Sequence, residues 1–369
     1  QQSLPDPFSF GYIRFGSVLL IVNSLSNKTN FERGLRLVAI GGGTGLSTLL
    51  SGLKQYVSRR QDNVPWLESL SAIVTVSDDG GSSGRLRDEL QILPPGDIRN
   101  CMIALSEDSN LLSRLFRYRF GGSGDLAGHS FGNLFLAALA EVTGDFVEAV
   151  RLSSEVLASK GHIYPATITD VRLVAELEDG RTVHGETLIT AARSPIRSLR
   201  LEPDYCEPLP GAMAAIRAAD LITIGPGSLY TSILPNLLVS RVADAIAESA
   251  ATKVFVTNLM TQPGETDGFD AQKHLTAIRD YAPQIRFDYI LLNDHPISAE
   301  QTRLYAADGA YRVTWTEQLS SPNNGTGLGE LVRANLLEEG EMVRHDPKKL
   351  ARAVLACAAQ SVIPLPVAV

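Results

Sequence analysis

Cysteine is scarce in this chain: Cys101, Cys206 and Cys357 are three in 369 residues, far apart and odd in number. That excludes a disulfide framework and a paired-cysteine zinc motif, and it fits a reducing, cytoplasmic compartment. Positive charge is also short. Thirty-three Lys and Arg oppose 41 Asp and Glu, for a net charge of −8. Such a surface does not hold nucleic acid or an anionic membrane by bulk charge. No apolar run reaches the roughly 20 residues of a spanning helix. The stretch Val18–Val22 is far shorter and lacks the small-residue cleavage site of a signal peptide. The chain opens on Gln1 rather than Met, which leaves room for a longer parent with an upstream membrane segment. No HExxH, no Ser-His-Asp pattern and no glycosidase-like carboxylate pair stands out. Any anion site must therefore come from local backbone geometry.

Such geometry is present in VAIGGGTGLSTLL, Val38 to Leu50. An apolar run stops at glycines and restarts as a helical pattern, which leaves amides pointing outward at a helix N-terminus, where phosphate binds. The third glycine of the dinucleotide fingerprint is replaced by Leu46, and no Lys-Ser/Thr follows as in a Walker loop. A tight turn needed only for helix–strand packing is the plainer alternative.

Short apolar runs alternate with helical stretches from Leu35 onward. Strands are expected at Leu37–Ile40, Ala72–Val76, Leu221–Ile224, Lys253–Thr257 and Phe287–Leu292. Helices are expected over Leu46–Tyr56, most of 97–158 with Asp97 as an N-cap, and Ala351–Ala359. This alternation implies an α/β fold, a Rossmann-like three-layer parallel sheet. Ala166–Glu176 and Arg181–Ile189 instead alternate around Asp179-Gly180, a hairpin signal. The reading is an irregular lead-in over 1–35, then one α/β domain over 36–369 with a small antiparallel β insertion at about 163–208.

Five further segments carry polar candidates. In SDDGGSSGRLRDEL, Asp78 and Asp79 sit at a strand's carboxyl end, where they could meet ribose hydroxyls or hold Mg²⁺. Gly81, Ser82 and Ser83 there offer a second phosphate nest, or simply a polar loop. Arg99 in PPGDIRN needs an anionic partner in a helix's first turn, either an acid such as Asp97 or a ligand phosphate. In GDLAGHSFGN, His129 reads as a general base or a core histidine, and Asn133 as a contact or a cap. Gly225, Gly227 and Ser228 end another strand, followed by the hydroxyls of Tyr230, Thr231 and Ser232. Asn258 ends the next. Polar candidates at strand ends without a nucleophile constellation favour binding over covalent chemistry.

Taken together, VAIGGGTGLS, TVSDDGGSSGRLR, LPPGDIRNC, GHSFGNLFLAAL, IGPGSLYTSILPNLL, MTQPGET and VRHDP resemble, in this order, the gluconeogenesis-factor family of the CofD (2-phospho-L-lactate transferase) superfamily. The resemblance spans about residues 36–355. It implies a CofD-like fold and a cytoplasmic regulator that binds a nucleotide-sugar such as UDP-N-acetylglucosamine. It further implies a role in gluconeogenic growth, cell shape and cell-wall synthesis, with cell-wall synthesis proteins or a second copy of the chain as partners. The ligand diphosphate is expected near Gly42, Gly43, Thr44 and Gly45, with Tyr305 and Arg344 as nucleotide-sugar contacts. No catalytic residue is assigned and no cofactor is required, although Mg²⁺ at Asp78 and Asp79 is an option. The alternative is a Mg²⁺-dependent phospholactyl or phosphoryl transferase acting on a nucleoside diphosphate conjugate. Two departures from the transferase pattern, Gly80–Gly84 and TNLMTQPGET, count against it. A nicotinamide-dependent dehydrogenase ranks last, because the fingerprint is incomplete.

Overall fold

The computed structural model describes residues 12–15, 18–21, 33–58, 66–107, 111–316 and 329–362. In chain order its strands are β1 (Tyr12–Phe15), β2 (Val18–Ile21), β3 (Leu35–Gly41), β4 (Leu67–Val74), β5 (His162–Pro165), β6 (Arg172–Leu177), β7 (Thr182–His184), β8 (Ile196–Glu202), β9 (Leu221–Ile224), β10 (Thr252–Val256), β11 (Tyr289–Asn293) and β12 (Glu330–Ala334). The first seven α-helices are α1 (Gly43–Leu53), α2 (Gly81–Leu90), α3 (Gly96–Leu105), α4 (Leu111–Arg117), α5 (Phe131–Thr143), α6 (Phe146–Val156) and α7 (Glu186–Ala192). Later helices are given by residue range.

The main sheet has the order β2-β1-β12-β11-β10-β9-β3-β4-β5. From β12 to β5 its seven strands run parallel. The chain builds outward from β3 to β4 and β5, then returns to add β9 through β12 on the other side. The boundary between β3 and β9 is therefore a topological switch point, with a crevice outside the strands' carboxyl ends. Strand β3 is apolar from Leu37 to Ile40 because both its faces are covered there. Leu37 and Ala39 pack with Leu46, Leu49, Leu50 and Leu53 of α1 and with Leu350 and Val354 of the helix Pro347–Val362. Val38 and Ile40 join the opposite core with Ile222, Ile224 and the insertion's Leu173 and Leu199.

Several expectations need correction. His162–Pro165 is not part of the insertion; it pairs parallel to β4, His162 opposite Ser71. The insertion's own sheet is β7-β6-β8, antiparallel. Arg181–Ile189 is not one strand, because Gly185 takes φ +91 and the chain turns into α7. Gly81–Leu90 is a helix rather than a loop. Gly96 opens α3 and Asp97 lies in its first turn, so Asp97 is not the N-cap. Within the lead-in read as irregular, β1 and β2 form an antiparallel hairpin beside β12; its residues 1–11, 16–17 and 22–32 lie outside the described residues. No helix among the described residues is long and apolar enough to cross a membrane.

Helix α1 is held close to the C-terminal helix by Gly52, where a Cβ would overlap the Pro347 carbonyl. Gly52→Ala is expected to lower stability by about 1–3 kcal/mol, the usual cost of overpacking. Urea denaturation checks this, and an unchanged midpoint would show that the two helices separate freely.

Candidate functional site

Two glycine turns meet above the switch point. The first ends β3 and opens α1. Gly43 sits at φ +60, a conformation that other residues adopt only with strain. A Cβ on Gly42 would lie 2.7 Å from both the Asp97 Oδ2 and the Thr75 Cγ2. A Cβ on Gly45 would overlap the Pro226 carbonyl of the second turn. Glycine is thus required for the two loops to approach. Asn236 fastens them from below, donating through Nδ2 to the Gly41 carbonyl at 3.0 Å and the Ser232 carbonyl at 2.8 Å.

The second turn follows β9. The Gly227 amide donates to Asn258 Oδ1 at 3.2 Å, and Gln262 Nε2 donates to Ser228 Oγ at 2.5 Å. The amides of Ser232 and Ile233 both donate to the Ser228 carbonyl, a widened π-type turn of the kind that recurs at functional sites. Helix geometry leaves the first amides of α1 without intrahelical partners. The Gly43 amide is taken by Asp97 Oδ2 at 2.7 Å.

These loops wall a cavity of about 520 Å³. The expected Gly42, Gly43, Thr44, Gly45, Asp78, Gly227, Ser228, Asn258, Tyr305 and Arg344 all line it. Tyr305, on the helix Ala299–Ala307, is fixed because its hydroxyl accepts from the Val343 amide at 3.1 Å. Arg344 lies one residue further on, exposed at the wall, and is the only arginine or lysine among the described lining residues.

The other candidates lie elsewhere. Asp79 Oδ1 accepts from the Thr187 amide at 2.8 Å and from its hydroxyl at 2.7 Å, so it holds the start of α7. Gly81 opens α2 away from the lining, at φ +49. Ser82 Oγ is buried against His129 Nδ1 at 3.0 Å and accepts from Asn133 Nδ2 at 3.1 Å. Ser82, His129 and Asn133 therefore form an internal polar link between α2 and α5. Ser83 is buried where Gly96 passes. Gly225, at φ +81, shapes the second turn without lining the cavity. Arg99 faces a different recess. Of the three hydroxyl residues after Ser228, Ser232 lines the cavity, whereas Tyr230 lies in another recess.

Sequence reasoning missed Glu186 and the reach of Asp97. Both line the cavity beside Asp78. Burial, and then the Asp78 charge, push the Asp97 carboxyl up to about 6. Burial and the surrounding Asp78, Asp97, Glu265 and Asp79 push Glu186 up to about 9. The spacing of Glu186 carries no signal, since the second strand of the hairpin, Arg181–Ile189, was expected there. His345 also lines the cavity, with an unpartnered buried Nε2. Burial lowers it to about 4, so it stays neutral in ordinary buffers. Among the described residues no group of three or more His, Cys, Asp or Glu is arranged to hold a metal ion. Of the proposed pair, Asp78 faces the cavity and Asp79 is committed to α7.

A sequence profile described as 2-phospho-L-lactate transferase CofD matches residues 37–326. The gluconeogenesis factor of Halalkalibacterium halodurans is 45% identical over 319 residues, 86% of this chain and 95% of its own. That of Bacillus subtilis is 45% identical over 318 residues, 86% of this chain and 96% of its own. A crystal structure of a Bacillus halodurans protein superposes with a TM-score of 0.81 at 44% identity, covering 88% of this chain and 100% of that one.

The acidic wall makes ligand-free stability depend on pH. Both carboxyls have folded values above the ordinary range near 4. Protonated, they cost nothing; ionised in the folded state, they are penalised. The contribution of these two groups to the stability of the ligand-free protein is therefore expected to be fully present near pH 4 and to decline as pH rises towards 9. Glu186→Gln should flatten the upper part of that decline. Parallel melting-temperature profiles for the two proteins would contradict the assignment.

Proposed function

The chain belongs to the gluconeogenesis-factor family of CofD-like proteins, and we propose on that premise that its cleft binds a nucleotide-sugar of the UDP-N-acetylglucosamine type as a regulatory ligand. One observation carries the reading. The two glycine turns share a single cavity with Tyr305 and Arg344, although about 80 residues separate Ser228 from Tyr305 along the chain. The α1 amides suit a diphosphate. Asp97 occupies the Gly43 amide in the ligand-free state and would yield it to a phosphate oxygen. Arg344 then supplies the one positive side chain, and Tyr305 a flat surface for a base or sugar. The lining holds hydroxyls and carboxylates, and its one imidazole, His345, is buried. This favours recognition over turnover. The ligand would report nucleotide-sugar supply in the cytoplasm to cell-wall synthesis proteins and so connect gluconeogenic growth with cell shape.

A second reading rests on the carboxylates. Asp78 and Asp97 would repel a bare diphosphate, while Glu186 stays protonated near neutral pH, and a divalent cation such as Mg²⁺ at Asp78 would relieve that repulsion. This is the arrangement a transferase acting on a nucleoside diphosphate conjugate would need. Released nucleoside monophosphate, after incubation with candidate donors and acceptors and Mg²⁺, distinguishes it from the regulatory reading.

Calorimetric titration with UDP-N-acetylglucosamine tests the first reading. Saturable binding is expected. Arg344→Ala should weaken it about tenfold, as loss of a charge-assisted contact does. Gly43→Val should abolish it through backbone strain and obstruction of the turn. No binding at millimolar ligand by folded protein would reject the nucleotide-sugar.

A further inference from the structure

A second cavity, of about 420 Å³, lies between α1, α3 and the end of α4. Among the described residues its charged lining is three arginines, Arg99, Arg117 and Arg119, with no carboxylate. That is unusual in a chain with a net charge of −8. Arginines placed for structure alone are commonly paired with acids. Here Arg99 donates from Nη1 to Ser130 Oγ and from Nη2 to Asn100 Oδ1, each at 2.6 Å, and its buried Nε has no partner. Arg119 donates to the Gly128 carbonyl, another neutral group. Arg117 is exposed, and no ion pair involves any of the three among the described residues. The hydrogen-bond partners of Arg99 and Arg119 are neutral and hold them in place; Asp97 and Asp78, on the side of the first cleft, act on Arg99 through space without pairing with it.

We propose that this cavity is a second ligand site, which takes a small phosphorylated metabolite by its phosphomonoester dianion. Guanidinium groups match phosphate oxygens as planar forks, and a dianion between them relieves their mutual repulsion. That repulsion is felt at Arg99, whose pKa is lowered by burial and then by Arg119. Asn100 and the Ser47, Thr48 and Ser51 hydroxyls complete a polar wall for a hydroxylated body. The volume suits a ligand of sugar-phosphate size. Thr48 lines both cavities, so the two sites adjoin across one helix.

The site stands apart from the nucleotide reading, and its test is separate. The full chain is titrated calorimetrically with a hexose 6-phosphate at constant ionic strength, with inorganic phosphate and the unphosphorylated hexose as controls. Saturable binding is expected for the two phosphate-bearing probes and none for the hexose. Arg117→Ala, at an exposed side chain, should weaken binding about tenfold, whereas Arg344→Ala should leave it unchanged. Arg117→Gln repeats the test should the alanine variant misfold. The proposal is overturned by absence of saturable binding, by an isotherm indifferent to Arg117, or by equal loss in Arg344→Ala, which would place the phosphate in the first cleft. Nucleotide-sugar binding in the Arg117 and Arg344 variants shows which of the two readings has failed.

Discussion

The close approach of two glycine turns over the β3–β9 boundary is the constraint on which the rest of the site depends. Gly45 lets the Pro226 carbonyl come against α1, and Asn236 ties both turns to the same buried amide. Parallel pairing of β3 with β9, Ile40 opposite Ile224, puts the two strand ends level, so both turns open in the same direction. Once they are level, the cavity floor is backbone and its direction is set by α1. Residues as remote as Tyr305 and Arg344 need only be delivered to the rim by later crossovers of the same sheet.

That floor sits in a negative surround. Asp78, Asp97 and Glu186 come from three different elements, the loop after β4, α3 and α7. Burial, and then mutual repulsion, raise Asp97 and Glu186. Asp97 offsets part of its cost by accepting from the Gly43 amide. The internal carboxylate thus occupies the place a ligand oxygen would take. Under the proposed reading, anion binding here would exchange one negative group for another, helped by protonation or by a cation. Such a cleft would discriminate against ligands that bring charge without the means to displace Asp97.

The sheet and the glycine turns were legible because their signals are local. An apolar run stopping at Gly-Gly-Gly has few alternative structures, and β3, β9, β10 and β11 lie within a few residues of where periodicity puts them. The second strand's polar tail was harder. Gly80–Gly84 has the composition of a loop, yet Ser82 and Ser83 are buried in α2 because His129, Asn133 and Gly96 receive them. Those partners lie more than ten residues away in sequence, and no local rule reports them. His162–Pro165 failed for a related reason. Its alternation runs straight into that of the insertion, and only pairing with β4 separates the two. Arg344 carried only a weak signal from its position before the last helix; the family resemblance raised it, and the fold brings it to the cavity.

The insertion shows how a peripheral element enters the site. Its sheet packs on one face of the main core through Leu173, Ala175 and Leu199. Its helix α7 is anchored at two points, Thr187 on Asp79 and Thr190 on the buried Glu265. Both anchors are carboxylates at or near the cleft, so the element that contributes Glu186 is itself held by acid groups of the cleft region. Neutralising those acids, by protons or by a cation, would alter the grip on α7 and the charge of Glu186 together. Adjacent aspartates after β4 accordingly have different roles: Asp78 faces the ligand space, while Asp79 positions the wall opposite. A paired-aspartate motif in sequence does not imply that both carboxylates meet the same ion, since successive side chains leave an extended backbone on opposite sides.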